Sequence, residues 1–162
     1  MTQLTAPITM APNFLATVPK TKKGIQISIP ITVKQCTGIQ AFTLVLEHLK
    51  SVMVFKKIVP SLTFIEALNA GEPITTTDLI KTIIVWSDPV NMLNLPANKV
   101  LFKLVYQYYG GMTELNWITS NYPGADGHMQ SGCEYAGIVN GVPGALPADP
   151  PENYFINGLI TS

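Results

Sequence analysis

The stretch Gly38-Ile39-Gln40-Ala41-Phe42-Thr43-Leu44-Val45-Leu46-Glu47-His48 decides the fold class. Phe42, Leu44 and Leu46 alternate with Thr43, Val45 and Glu47, a period of two that suits a strand and not a helix. Two later stretches repeat the rhythm. In 99–108, Val100, Phe102, Leu104, Tyr106 and Tyr108 alternate with Leu101, Lys103, Val105 and Gln107. In 80–87, Thr82, Ile84 and Trp86 alternate with Ile83, Val85 and Ser87. Upstream, Ile25, Ile27, Ile29 and Ile31 alternate with Gln26, Ser28 and Thr32. Pro30 interrupts that run and predicts a sheet edge or a bulge. Further strands are predicted at 52–58, 113–119, 133–139 and 153–161. Turns are predicted at Cys36-Thr37-Gly38 and Gly110-Gly111. Loops are predicted at 121–132, which is polar, and at 141–151, which holds four prolines. Residues 62–70 and 73–79 read as loop, with one turn of helix the alternative. About nine short strands without alternating helices predict an all-β, nine-stranded antiparallel β-sandwich. Its two sheets share one core of Phe42, Leu44, Leu46, Ile84, Trp86, Phe102, Leu104 and Tyr106.

The composition suits a single domain. The chain has 162 residues, 47% hydrophobic and 12% charged, which buries a core and argues against disorder. Ten lysines balance ten acidic residues, and arginine is absent. Arginine is the usual residue for bidentate phosphate and base-edge contacts, so nucleic acid is an unexpected partner. No apolar run reaches the length of a membrane span. The opening Met1-Thr2-Gln3-Leu4-Thr5 lacks the basic, apolar and small-residue regions of a signal peptide. Cys36 and Cys133 are too few for a disulfide framework. They form one bridge or stand as two buried thiols, the second reading being favoured.

Residues that carry chemistry are dispersed. His48 and His128 lie 80 positions apart, and no close Cys or His pair has zinc-ligand spacing. His48 reads as a packed or surface residue at a strand end, and His128 as a solvent-facing loop residue. No calcium loop of alternating aspartates is visible, and Asp126-Gly127 reads as a turn. No nucleophile elbow or phosphate-cradling glycine loop is present. Nothing singles out two carboxylates, such as Glu47 with Glu134, for glycoside hydrolysis. The run Tyr106-Gln107-Tyr108-Tyr109 has two readings, a sugar-stacking row or core tyrosines ending in a turn, and the second is favoured. The chain is therefore read as a non-enzyme that folds without a cofactor or metal.

One feature does point to function. Three strands are apolar on both faces, although a sandwich sheet has one inner face. Val45, Ile83, Val85, Leu101 and Val105 then form an exposed patch of the kind that marks a partner surface, unless the loop 121–132 covers them.

These residues resemble a family. Ile29-Pro30-Ile31-Thr32-Val33 and Thr37-Gly38-Ile39-Gln40-Ala41-Phe42-Thr43-Leu44-Val45-Leu46 resemble the second and third strands of a cohesin domain. Ile83-Ile84-Val85-Trp86-Ser87-Asp88 and Val100-Leu101-Phe102-Lys103-Leu104 resemble its fifth and sixth. Tyr154-Phe155-Ile156-Asn157-Gly158-Leu159-Ile160-Thr161 resembles its last. His48-Leu49-Lys50 departs from the Tyr-Asp-Pro common after the third strand. The resemblance implies one domain over 1–162, with its core at about 7–161, and a jelly-roll topology. It implies a module at the cell surface or outside a bacterium that assembles a cellulosome-like complex. Its partner is a dockerin on an enzyme or scaffold protein, with calcium on the dockerin, and the free domain is a monomer outside the membrane. The implied dockerin-facing sheet, strands eight, three, six and five, carries Ala41, Thr43, Val45, Glu47, Ile83, Val85, Ser87, Leu101, Lys103, Val105, Glu134 and Ala136. A carbohydrate-binding module or a structural spacer are the alternatives.

Overall fold

The computed structural model describes residues 10–12, 15–17, 24–33, 36–61, 68–71, 73–96, 99–139, 141–145 and 154–161. Among them every regular element is a strand. In chain order these are β1 Met10–Pro12, β2 Leu15–Thr17, β3 Ile25–Val33, β4 Cys36–Leu49, β5 Met53–Pro60, β6 Asn69–Ala70, β7 Ile74–Thr75 and β8 Leu79–Ser87. There follow β9 Leu93–Leu95, β10 Lys99–Tyr108, β11 Thr113–Trp117, β12 Tyr122–Pro123, β13 Met129–Gln130, β14 Glu134–Val139, β15 Val142–Ala145 and β16 Gly158–Thr161. Nine of the sixteen have four residues or more, so the expected count describes the longer strands only.

The strands form a β-sandwich with jelly-roll architecture. One layer has the order β1-β3-β10-β5. The other runs β15-β14-β4-β11-β16-β2, with β8 and β9 also paired to β4 and the short β6 and β7 on the outer side of β8. The opening segment passes between the layers, since β1 pairs antiparallel with β3 while β2 pairs parallel with β16.

The alternating residues meet between the layers as the period predicts. Phe42, Leu44, Leu46, Ile84, Trp86, Phe102, Leu104 and Tyr106 are all buried in one cluster. Phe42 of β4 faces Phe102 of β10 across the sandwich with ring centroids 6.3 Å apart, and Trp86 packs on the same ring at 5.5 Å. Tyr108 is fully buried and donates its hydroxyl to the carbonyl of Gly111 at 2.7 Å. The tyrosine run is thus core, and only Tyr109 of it is exposed.

This core also contains a polar knot. His48 of β4 is 1% exposed and meets Tyr106 of β10 edge-on at 5.1 Å. Its Nδ1 lies 3.0 Å from the Leu49 carbonyl and donates to it, which leaves Nε2 as an acceptor without a partner. The hydroxyls of Thr82 and Tyr106 are also buried without a hydrogen bond of normal geometry. Burial holds the His48 pKa below the usual histidine range, against the opposing pull of the Leu49 carbonyl and Glu47.

Several expectations are corrected. Cys36-Thr37-Gly38 is not a turn but the start of β4, with a register shift against β9 between Cys36 and Ile39. Gly38 takes φ +72° there, a left-handed conformation that L side chains rarely adopt. The loop expected at 141–151 begins with β15, which pairs back on β14 as a hairpin. The loop 121–132 contains the β12–β13 hairpin. Residues 69–70 and 74–75 are short strands, neither the loop expected there nor the alternative turn of helix, while 62–67 and 72 lie outside the described residues. Among the described residues Pro30 sits one position past the last pair of β1 with β3, Pro12 with Ile31, and faces Lys103 on the β10 side. Its missing N–H is tolerated there as at an edge.

Cys133 is a free, buried thiol. Its sulfur accepts a hydrogen bond from the Val45 N–H at 3.2 Å, while Cys36 lies nine residues earlier on the same strand. Nine strand residues span about 30 Å, far more than the roughly 6 Å Cα separation of a disulfide.

Candidate functional site

The outward faces of β14, β4 and β8 lie side by side. In register, Glu134 pairs with Thr43 and Ala136 with Ala41, while on the other side Thr43 pairs with Val85, Ala41 with Ser87, Val45 with Ile83 and Glu47 with Lys81. The sheet thus gathers Ala41, Thr43, Val45, Glu47, Ile83, Val85, Ser87, Glu134 and Ala136, nine of the twelve expected site residues. Their exposure differs. Val85 is 38% exposed, Ser87 and Glu134 are open, and Ala41, Thr43, Ile83 and Ala136 are half-buried.

Val45 is a correction. It is fully buried, although its phase is outward. It sits where β4 changes neighbours, from β14 before it to β11 after it. Cys133 closes that gap. Its thiol accepts from the Val45 N–H and donates to the Val45 carbonyl at 3.6 Å, while the Ile118 N–H reaches the same carbonyl at 2.9 Å. Burial pushes the thiol pKa up to about 12, so it is a structural group and not a nucleophile.

Leu101, Lys103 and Val105 are a second correction. They lie on β10, which pairs with β3 and β5 in the opposite layer. Leu101 and Val105 are buried, and Lys103 is exposed on the far side of the sandwich from Val85. The miscount has a simple source. The strand order eight, three, six, five requires the neighbours of the third strand to be the eighth and the sixth. With β4 as the third strand, its observed neighbour β8 is the sixth, which makes β10 the seventh.

Glu47 is engaged within the chain. Its Oε2 lies 2.7 Å from Lys81 Nζ, with both side chains mostly buried. Lys81 Nζ also stands 5.8 Å above the Tyr122 ring. Tyr122 opens the β12–β13 hairpin, and this hairpin roofs one flank of the face. Between hairpin and sheet lies a cleft of about 640 Å³, with Thr43, Ile74, Ile83, Val85 and Glu134 on the sheet side and Tyr122, Gly124, Ala125, Asp126, Gln130 and Ser131 on the hairpin side. Beyond it a shallow furrow of about 170 Å³ runs along Ala41, Thr43, Glu134, Ala136 and Ala145.

Local chemistry shapes the hairpin. Asp126 Oδ1 accepts from the His128 N–H and Oδ2 lies 3.0 Å from His128 Nδ1, contacts that lower the Asp126 pKa below the ordinary carboxylate range. Gly132 anchors its base. A Cβ there would stand 2.4 Å from the Ile118 carbonyl oxygen, so no larger residue fits without moving backbone. The polar, glycine-bearing composition marked 121–132 as a loop, its covering of the face was only the alternative to an exposed patch, and its individual cleft residues had no signature of their own.

Among the described residues no group of three or more His, Cys, Asp or Glu side chains could hold a metal, and no helix is long and apolar enough to cross a membrane. No family model matches the sequence, and no curated protein matches it. The three-dimensional comparison does decide the fold. The seventh ScaB type I cohesin of Pseudobacteroides cellulosolvens superposes with a TM-score of 0.64 at 14% identity, over 97% of this chain and 92% of that one. This is the cohesin fold.

A non-cellulosomal cohesin from the hyperthermophilic archaeon Archaeoglobus fulgidus matches with a TM-score of 0.60 at 18% identity, over 96% and 90% of the two chains. A chain of the type I cohesin–dockerin complex Coh-OlpA–Doc918 from Clostridium thermocellum matches with a TM-score of 0.62 at 12% identity, over 96% and 98%. The cohesin fold accordingly spans nearly the whole chain, while little of the sequence is shared.

Proposed function

We propose that this domain is a non-catalytic docking module that receives a dockerin on the outward face of β14, β4 and β8. The observation that carries the reading is the coincidence of that partly apolar, unpartnered sheet face with a fold whose solved examples include cohesin–dockerin complexes. Val85, Ile83 and the small residues Ala41 and Ala136 form a flat centre, and Glu134 and Ser87 form its polar margin. Leu101, Lys103 and Val105 have no part in it, and Val45, although on the same face, is too buried to meet a partner. A docking interface of ordinary size buries about 800 Å² per partner, with a few central residues dominating the energy.

The module is a single domain over 1–162, monomeric when free, and works at the surface of the cell or outside it. There it joins a dockerin-bearing enzyme or scaffold to a cellulosome-like assembly for polysaccharide degradation. Calcium belongs to the dockerin. The carbohydrate reading loses its aromatic row, since Tyr106, Tyr108, Trp86 and Trp117 are all buried.

The test is calorimetric titration with calcium-loaded dockerins from the same organism, using the wild-type chain and Val85→Asp. A carboxylate at this half-open position stays hydrated in the free domain but is desolvated against an apolar helix. Lost binding with a near-normal melt is expected. Normal binding with a normal melt would place the partner on another surface. EDTA should abolish binding while leaving the melting temperature of the isolated chain unchanged.

A further inference from the structure

We propose that the cleft beneath the β12–β13 hairpin is a socket for one basic side chain, lysine or arginine, of the docking partner, and that the hairpin thereby selects among partners. The inference rests on the docking reading above and adds the chemistry of what enters the face. Ile83 and Val85 form an apolar floor, and Asp126 and Glu134 bring carboxylates to the rim. Among the described residues that line the cleft none is a lysine or a histidine. Lys81, on the same strand as the floor, is held by Glu47 at 2.7 Å, and the His128 imidazole stands 3.0 Å from Asp126 Oδ2, leaving Glu134 as the carboxylate without a basic neighbour of its own in the cleft. Lysine and arginine match this arrangement, because their aliphatic stems cover apolar surface while their heads reach for carboxylates. The Asp126 carboxylate is held below its usual pKa by His128, so it remains charged at neutral and mildly acidic pH.

The cleft volume, about 640 Å³, is in the range of ligand clefts and leaves room for the flank of the helix that bears the side chain. The hairpin is preformed to hold its half of the socket. Tyr122 pairs with Gln130 and Pro123 with Met129, the Gly124 N–H donates to the His128 carbonyl, and the Cys133 N–H donates to the Ile118 carbonyl at its base.

The experiment has two arms. In the first, a dockerin that binds the wild-type chain is titrated against Glu134→Gln, Asp126→Asn and the double variant. Each single variant should weaken binding about tenfold at low salt. The double variant should show a shallower salt dependence. One lysine or arginine of the dockerin, replaced by methionine, should lose its effect in the Glu134→Gln background. Binding within twofold of wild type in the double variant overturns the socket, and if Val85→Asp still abolishes binding, the docking face itself survives. The second arm needs no dockerin. N-acetyl-arginine amide at millimolar concentration should shift the backbone amide signals of Ser131 and Glu134 in the wild type and not in the double variant. No shift overturns the proposal, and so do shifts produced by calcium chloride and not by the arginine derivative, which would mark a cation site instead.

Discussion

β8 and β10 carry almost the same pattern and meet different fates. Each alternates apolar residues on both faces, Ile83 and Val85 opposing Ile84 and Trp86, Leu101 and Val105 opposing Phe102 and Leu104. On β8 the second set remains outward, with Val85 38% exposed and Ile83 half-buried. On β10 the second set is buried, Leu101 completely and Val105 to 5%. Their neighbourhoods explain the difference. β10 is flanked along its length by β3 and β5, and its register shifts between Val100 and Phe102 against one and between Val105 and Tyr106 against the other. Such irregularities break strict alternation beside Leu101 and Val105. Among the described residues β8 has β4 along one side, in regular register from Leu79 to Ser87, and the short β6 and β7 along the other. A doubly apolar strand is therefore not by itself the mark of an exposed face, because its place in the sheet decides whether the chain buries the second set.

The sharpest way to break this comparison is to place the same charge on both strands. Val105→Asp should collapse the fold, since an unpaired buried carboxylate costs several kcal/mol. Val85→Asp should change stability by less than about 1 kcal/mol. Equal melting losses in the two variants would erase the distinction. A smaller effect tests the shared inner face. Leu104→Ala, which empties a fully buried position, should cost about 2–5 kcal/mol in denaturant unfolding.

Cys133→Ala probes the junction at which β4 changes neighbours, since it leaves the Val45 N–H without its sulfur acceptor between β14 and β11. A loss of about 1–3 kcal/mol is expected, and an unchanged denaturation midpoint would show the thiol to be dispensable there. An effect of the same size belongs to Glu47→Gln, which leaves the mostly buried Lys81 ammonium without its counter-charge but keeps a side-chain acceptor beside it, and should cost about 1–3 kcal/mol. A larger loss would make that pair part of the core rather than of the face.

The polar knot predicts a pH dependence on the buried side of the same sheet. The folded state binds a proton at His48 less readily than the unfolded state, whose histidine titrates near the ordinary value of about 6.5. The contribution is thus fully present above that value and is lost as pH falls below it. Denaturation midpoints should drop between about pH 7 and pH 5.5, and His48→Leu should flatten that slope. An unaltered slope in the variant would assign the pH dependence to other groups.

The sequence by itself determined the long strands β3, β4, β8 and β10 and their inner face, because a two-residue period admits one solution for Phe42, Leu44, Leu46, Ile84, Trp86, Phe102, Leu104 and Tyr106. It also marked nine of the residues that share the outward face of β14, β4 and β8. Tertiary structure decided the rest. Which layer β10 joins depends on pairing between strands distant in the chain, so Leu101, Lys103 and Val105 moved to the opposite side of the sandwich. The main-chain groups of Val45, where β4 changes neighbours, are met by the thiol of Cys133, 88 positions away. The cleft depends on how the 121–132 hairpin folds back over the sheet, with Gly132 against the Ile118 carbonyl. Alternation is a local property that each strand carries alone, whereas sheet order and the covering of a face are set by contacts that exist only once the layers have closed.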